Sequence, residues 1–256
     1  MMNKNGWFLS AIIAMVSSCK QPGTVNSNGM QKTQEGPHRF GQLIKVKPEK
    51  LDYYKELHAD PWPGVIARIG LSNLQNYSIF NLDTLLFAYL EYTGDNYEAD
   101  MAKIAADSTT QRWWKETDPC QESLSRESAE WWINMEQVFY ALPPVPDKPV
   151  TRRLGQIIGV KSVKLDYYKK LHADPWPGVI KTLGEHNIQN YSIFLHENNL
   201  FAYLEYTGED FDSDMDGIAA DTTTQRWWKE TDPCQFPVSE GTIGWTDMEQ
   251  VFYCCP

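Results

Sequence analysis

The sequence predicts an α+β protein made of two tandem copies of one four-stranded unit. Three observations carry that prediction: a close internal repeat, the order in which helix-period and strand-period segments alternate within each copy, and a proline-rich connection between the copies. The segment DYYKELHADPWPGVI at 52–66 returns as DYYKKLHADPWPGVI at 166–180 with one change, Glu56 to Lys170. From Gly41 to Cys120 and from Gly155 to Cys234 the chain aligns at a constant offset of 114, with roughly two-thirds of positions identical. A period of that length marks a duplicated domain rather than a solenoid. The whole chain, 256 residues, has room for two such cores.

Each copy reads the same way in order. FGQLIKV (40–46) alternates like a strand, and residues 49–58 have helical spacing. Asp60-Pro61 is expected to cap and open a further helix that ends near Gly70. NYSIF (76–80) and LLFAYLEYT (85–93) are strand-like and separated by a short polar turn. Residues 96–106 and TTQRWWKET (109–117) read as helices, and after a variable loop MEQVFY (135–140, again at 248–253) reads as the closing strand. The order β-α-β-β-α-β is that of a ferredoxin-like unit, an antiparallel sheet with helices over one face. Its bare face needs a cover, and the second copy is the expected one, so the two sheets are expected to pack against each other within one chain. The boundaries follow: one domain at 38–142, a semi-rigid linker at 143–153 within ALPPVPDKPVTRR, and a second domain at 154–256.

Asp and Glu outnumber Lys and Arg, 34 against 23, for a net charge of -11. Such a surface repels phosphate backbones and anionic lipid, which argues against nucleic acid or a bare membrane as partner. The start, MMNKNGWFLSAIIAMVSSC, has an early lysine and an apolar run from Trp7 to Val16 that is too short to span a bilayer. Residues 1–18 are therefore expected to be an export signal. Val16-Ser17-Ser18-Cys19 resembles a bacterial lipobox, which would make Cys19 the lipidated first residue of a membrane-anchored protein and residues 19–37 its flexible tether. An ordinary signal peptide with an incidental cysteine is the alternative. In an exported chain Cys120 or Cys234 can pair with Cys254 or Cys255, although spacing does not say which.

Tyr54 and His58 are four apart and share a helix face with Leu51, as do Tyr168 and His172 in the second copy. The helix C-terminus should raise the imidazole pKa toward neutrality, where it can both give and take a proton. The competing reading makes His58 a carbonyl cap and Tyr54 a core residue. His38, His186 and His196 have no histidine counterpart in the other copy, which argues against a histidine metal cage, and no cofactor or metal is expected. The adjacent tryptophans of QRWWK, Trp113-Trp114 and Trp227-Trp228, point about 100° apart on a helix. One can enter the core while the other offers a flat apolar face to a sugar ring, with Gln and Arg beside it for hydroxyls; both as core fillers is the other possibility. Trp62-Pro63 reads as packing. Glu91 and Glu116 form a conceivable glycosidase couple of unfixed separation. Asp212-Ser213-Asp214 lacks a calcium-loop pattern and reads as a solvated turn.

Tyr-x3-His-x3-Trp-Pro (54–63), NYSIF, QRWWK and MEQVFY, in that order and in both copies, resemble the L-rhamnose mutarotase family. The resemblance implies ferredoxin-like domains of the dimeric α+β barrel type that interconvert the anomers of a 6-deoxy monosaccharide without cofactor. It implies His58 and His172 as the acid groups, Tyr54, Tyr77, Tyr168 and Tyr191 as sugar-binding tyrosines, and Trp113, Trp114, Trp227 and Trp228 as the tryptophan pairs. Two features depart from the family: Gly64 and Gly178 stand where an acidic residue commonly follows Trp-Pro, and this chain is doubled and carries a leader. L-rhamnose is the expected substrate and L-fucose the close alternative. From other classes come a non-catalytic sugar-binding lipoprotein and a cofactor-free monooxygenase or haem-degrading relative of the wider barrel group.

Overall fold

The β-period and helix-period segments form elements close to those expected from sequence. The structure, a computed structural model, describes residues 36–124 and 130–255. The leader at 1–18, Cys19 and the tether up to residue 35 lie outside the described residues. In chain order the elements are β1 (His38–Val46), α1 (Leu51–Ala59), α2 (Pro63–Leu71), β2 (Leu74–Leu82), β3 (Leu85–Tyr92), α3 (Tyr97–Ala106), α4 (Ser108–Thr117), β4 (Gln121–Glu122), β5 (Ile133–Asn134) and β6 (Glu136–Ala141). The second copy supplies β7 (Arg152–Val160), α5 (Leu165–Ala173), α6 (Pro177–Glu185), β8 (Ile188–His196), β9 (Asn199–Tyr206), α7 (Phe211–Ala220), α8 (Thr222–Thr231), β10 (Gln235–Phe236) and β11 (Thr246–Cys254). The mixed α+β class and the tandem ferredoxin-like units hold.

Two compact units emerge, and their limits differ from those of the repeats. The first draws its described residues from 36–79, 83–134 and 251–255, the second from 80–82 and 135–250. In the first unit β1 pairs antiparallel with β3, from His38 opposite Tyr92 to Lys45 opposite Leu85. The strand order is β4-β1-β3-β2, and the end of β11 completes it beside β2. In the second unit β7 pairs with β9, β9 with β8, and β6 closes the edge beside β8, from Glu136 opposite Leu195 to Ala141 opposite Tyr191. Each unit thus closes with the MEQVFY strand of the other repeat, whereas sequence placed that strand with its own copy. The reason lies in chain direction. β5 pairs with β1, and only Met135 separates it from β6, so the chain has no turn with which to cross β1, β3 and β2 and pair at the free edge of β2, about 19 Å away at sheet spacing.

Helix α2 begins at Pro63 rather than at Pro61, with Trp62 extended before it at φ -62 and ψ 127. A proline pushes its predecessor out of the helical region, so Pro63 is the earliest N1 position. Asp212 and Asp214 lie in the first turn of α7, behind an Asp210 N-cap that accepts from the Ser213 N–H at 3.1 Å, and are not in a solvated turn. The expected cysteine pairings are also corrected. Cys120 and Cys234 are free and buried, each thiol donating to a backbone carbonyl of the preceding helix, Glu116 and Glu230, at 3.4 Å. Cys254 and Cys255 are free as well, with their sulfurs 3.0 Å apart.

Gly64 and Gly178 have a steric basis. A Cβ at Gly64 would meet the Thr109 methyl at 3.1 Å, and one at Gly178 the Thr223 methyl at 2.9 Å. The helix opened by Trp-Pro approaches its QRWWK helix too closely for a side chain there.

Candidate functional site

Helix α1 puts Tyr54 and His58 on one stripe, and their rings lie 4.0 Å apart between centroids. His58 Nδ1 sits 2.8 Å from the Tyr54 carbonyl oxygen, one helical turn back. A carbonyl only accepts, so Nδ1 carries the proton and Nε2 holds the lone pair. In the second unit His172 Nδ1 donates to the Tyr168 carbonyl at 2.9 Å and the two rings stack at 3.9 Å. Burial reverses the shift expected from the helix dipole. Desolvation holds His58 down at about 4, against a weaker upward pull from its backbone hydrogen bond, and His172 likewise at about 4. With each ring only 8% exposed, the cost of dehydrating an imidazolium outweighs the field of a helix end.

The tryptophan pairs divide as their helical angle requires. Trp113 and Trp227 are buried, whereas Trp114 is half-buried and Trp228 is exposed. Trp113 meets the His58 ring edge-on at 5.3 Å, and Trp227 meets His172 at 5.2 Å. Trp62 packs edge-on against Trp113 at 5.5 Å and Trp176 against Trp227 at 5.5 Å, so Trp-Pro supports the indole wall from behind.

Tyr77 and Tyr191 reach the site through a distortion of their strand. Asn190 takes φ +47 and the β8–β9 register shifts between Gln189 and Ser192; Asn76 takes φ +51 at the equivalent place. Asparagine tolerates the left-handed region, and an extra residue in a strand re-aims the side chain after it. The bulge is clamped by a buried carboxylate. Glu205 accepts from the Gln189 and Asn190 amides and the Tyr203 hydroxyl, each at 3.0 Å, and Glu91 accepts from Gln75, Asn76 and Tyr89 at 3.1, 3.2 and 2.7 Å. Glu91 is therefore engaged in holding the strand, while Glu116 is exposed and accepts from the Tyr53 hydroxyl at 2.8 Å. Neither lines the cavity, which removes the glycosidase couple.

His58, Tyr54, Tyr77, Trp113 and Trp114 line one cavity of ≈150 Å³ in the first unit. His172, Tyr168, Tyr191, Trp227 and Trp228 line one of ≈520 Å³ in the second. The structure brings every expected site residue of each copy together. Burial pushes the Tyr54 and Tyr168 hydroxyls well above the ordinary phenol range, and Tyr191 up to about 12. Gln121 donates to the Tyr54 hydroxyl at 3.5 Å and accepts from the Trp131 indole at 3.2 Å. The equivalent Tyr168 hydroxyl is buried beside the Gln235 amide, which lies a little beyond ordinary hydrogen-bond length.

Several lining residues escaped the sequence reading. Phe252 and Phe139 close the first and second cavities, each 5.4 Å from its histidine and 5.4 Å from its tyrosine, and both arrive on the exchanged strand. Gln42 and Gln121 bring amides, and Asp118 brings the carboxylate of the TDPC turn; Gln156, Gln235 and Asp232 repeat them. The identical TDPCQ in both copies was the available signal. Among the described residues no group of three or more His, Cys, Asp and Glu side chains is placed to hold a metal, and no helix is long and apolar enough to cross a membrane.

A family profile described as L-rhamnose mutarotase matches residues 39–141 and again 153–254. An L-rhamnose mutarotase from Oceanobacillus iheyensis is 36% identical over 104 residues, spanning 40% of this chain and 97% of the relative. One from Bacillus subtilis is 38% identical over 105 residues, with 40% and 97% covered. A solved chain from Fusobacterium nucleatum subsp. nucleatum, a proposed monooxygenase, is similar in fold at a TM-score of 0.52 and 12% identity, over 86% of this chain and 94% of that one.

Proposed function

Because the chain belongs to the L-rhamnose mutarotase family, whose profile it matches twice over most of its length, we propose that both cavities interconvert the α and β anomers of a 6-deoxy sugar, L-rhamnose first, with His58 and His172 as the acid–base groups. The enzyme is of the carbohydrate epimerase and mutarotase class, and its substrate is a monosaccharide. One observation carries the finer reading. In each unit an imidazole whose Nδ1 proton is tied to a backbone carbonyl stands edge-on to an indole at 5.3 or 5.2 Å, in a cavity both line.

Anomer exchange opens a hemiacetal. The anomeric O1–H proton leaves, C1=O1 forms, the C1–O5 bond breaks, and O5 gains a proton. With its pKa held near 4, each histidine is neutral over most of the pH range and enters as a base, taking the O1 proton at Nε2. After rotation about C1–C2 the imidazolium returns that proton to O1 as O5 attacks the other face, so the same ring is the acid of the closing half. The indoles offer apolar faces to the C–H side of the sugar, and the tyrosine and glutamine groups meet its hydroxyls.

Exchange spectroscopy on the anomeric protons of L-rhamnose and L-fucose tests the reading. Accelerated exchange, faster for L-rhamnose, is the expected result. Saturable binding without acceleration would make the chain a sugar-binding module instead. Export and lipidation at Cys19 are proposed from the leader sequence alone. Mass spectrometry of the mature protein should find an acylated Cys19 at its N-terminus, and an intact Met1 would end that proposal.

A further inference from the structure

We propose that Asp118 and Asp232 are the acid partners of His58 and His172, each delivering the proton that the ring oxygen needs while the imidazole removes the one on O1. The inference rests on the mutarotase reading and deepens it. A hemiacetal cannot open by base action alone without leaving an alkoxide at O5, so a site whose histidine is tied into the basic tautomer needs a second group of opposite protonation.

Three features select the aspartates. The first is place. Asp118 follows directly on α4, in the turn Asp118–Cys120, and lines the same cavity as His58, Tyr54 and Gln121; Asp232 does the same with His172, Tyr168 and Gln235. Among the described residues they are the only carboxyl groups lining either cavity.

The second feature is partnership. Other aspartates of the first unit are held by donors: Asp100 accepts from Asn73, Tyr92 and Lys103 at 2.6, 2.8 and 2.7 Å, and Asp107 caps α4 by accepting from the Thr110 N–H at 2.7 Å. Asp214 and Asp221 repeat this in the second unit with Asn187, Tyr206 and Thr224. Asp118 and Asp232 receive no hydrogen bond or ion pair at their carboxyls from the described residues, and in the second unit the loop that follows the turn is described throughout. Asp118 is half-buried and Asp232 exposed, each on the lining of its cavity, so neither carboxyl is tied down by the protein and both can meet a ligand there.

The third feature is protonation. Burial alone holds Asp118 up at about 6, so it keeps a proton into the mildly acidic range where general acid catalysis profits from it, and partial burial shifts the exposed Asp232 in the same direction. The titratable groups facing Asp118 across the cavity are His58 and Tyr54 from α1, Tyr77 from β2 and Tyr97 from α3. Neighbouring lysines act elsewhere: Lys47 donates to the Pro119 carbonyl at 2.7 Å, and the fields of Lys47 and Lys50 fall on the Cys120 thiol. Burial pushes the tyrosines upward, which makes each a poorer acid than the carboxyl.

In the step, the Asp118 O–H bond breaks as O5 takes the proton, the C1–O5 pair passes to O5, and the O1 proton passes to His58. Closing reverses each transfer, so no net proton or electron is consumed.

The test is the full chain carrying Asp118→Asn and Asp232→Asn, which keep the side chains' size and polarity. Exchange of L-rhamnose anomers should fall about 100-fold, while the Kd for the sugar from tryptophan fluorescence stays within about twofold. The parent rate should decline as pH rises through about 6, and the residual rate of the variant should lack that decline. Asp118→Glu with Asp232→Glu should recover part of the rate. Parent-like exchange in the Asn variant would overturn the aspartate role while the mutarotase reading stood. So would a loss that follows weakened binding, with the alkaline decline intact. A parent chain that leaves anomer exchange unaccelerated would remove both.

Discussion

Two cavities built from the same His, Tyr, Trp and Gln set differ in size, ≈150 Å³ in the first unit against ≈520 Å³ in the second, and their linings differ most where the chain approaches the closing strand. The first cavity is closed by Trp131 and Trp132 from the loop before β6; at the matching positions the second has Gly244 and Trp245. With glycine in place of the indole, Gln235 has no counterpart to the Trp131 N–H that Gln121 accepts from. The chain does not trade the residue back easily, because Gly244 holds φ +82, a conformation that strains any side chain with a Cβ. The comparison teaches that duplication preserved the histidine, tyrosine, tryptophan and glutamine lining and let the loop diverge. The first site leaves a ligand less room than the second.

The largest effect that can break this comparison is loss of one histidine at a time. His58→Asn and His172→Asn should each abolish the exchange of one site, and the double variant should lose about 10²- to 10⁴-fold while still binding sugar. Titrating L-rhamnose against each single variant separates the two KM values, and the site left in His172→Asn, the smaller one, should show the lower. Equal KM values would mean that the wall does not matter to this sugar.

Next in size is a pH effect on stability. The folded pKa of His58 is depressed to about 4 from an unfolded value of 6.5, so the unfolded chain binds more protons between those limits. The stability that comes with a neutral histidine is complete above about 6.5 and is lost as pH falls toward 4. Asp118 works in the opposite direction, since its raised pKa favours the folded state as pH falls through about 6. In urea melts the deficit of His58→Asn relative to the parent should therefore narrow between pH 6.5 and 4.5, and that of Asp118→Asn should widen. A deficit constant with pH in either variant would contradict the burial assigned to that group.

Much of this was legible in the sequence because the repeat supplied its own control. Helical spacing placed Tyr54 with His58 and split Trp113 from Trp114, and alternation located the strands. What stayed hidden depends on distant chain. Nothing local says that MEQVFY closes the other repeat's sheet, so Phe252 and Phe139 could not be assigned to sites 194 and 33 residues from their histidines. The histidine pKa was misjudged for the same reason. The helix end is visible in sequence, but the aromatic shell that desolvates the ring, Trp113 and Phe252, is assembled only by folding. The aspartates of TDPC were readable as identical and were passed over because a single acid before a proline looks like a turn.

A smaller effect sharpens the role of the wall. Trp131→Ala, made in the His172→Asn background so that only the first site reports, should raise KM for L-rhamnose about 3- to 10-fold, the worth of one aromatic contact. Its effect on kcat should be slight if Trp131 only encloses the sugar. A fall in kcat with unchanged KM would instead place the Gln121–Trp131 hydrogen bond in the chemistry, acting through the Tyr54 hydroxyl.

The smallest expected change concerns one oxygen. Tyr97 lines the first cavity where Phe211 lines the second, and each ring is held by different company: Tyr97 stacks on Phe40 at 4.8 Å, whereas Phe211 lies under the Arg152 guanidinium at 4.2 Å. Besides the Trp131 indole N–H, the Tyr97 hydroxyl is a polar group that the first lining has and the second lacks, so it is a second source of difference in sugar preference between the sites. A hydrogen bond of ordinary net strength predicts that Tyr97→Phe raises KM at the first site about 2- to 10-fold for the sugar hydroxyl it meets. It should do so least for a deoxy analogue lacking that hydroxyl, since such an analogue has nothing to lose. A panel of deoxy sugars measured on Tyr97→Phe/His172→Asn therefore identifies the hydroxyl. Uniform KM values across that panel would show that Tyr97 serves as wall alone, leaving the loop as the main difference between the two sites.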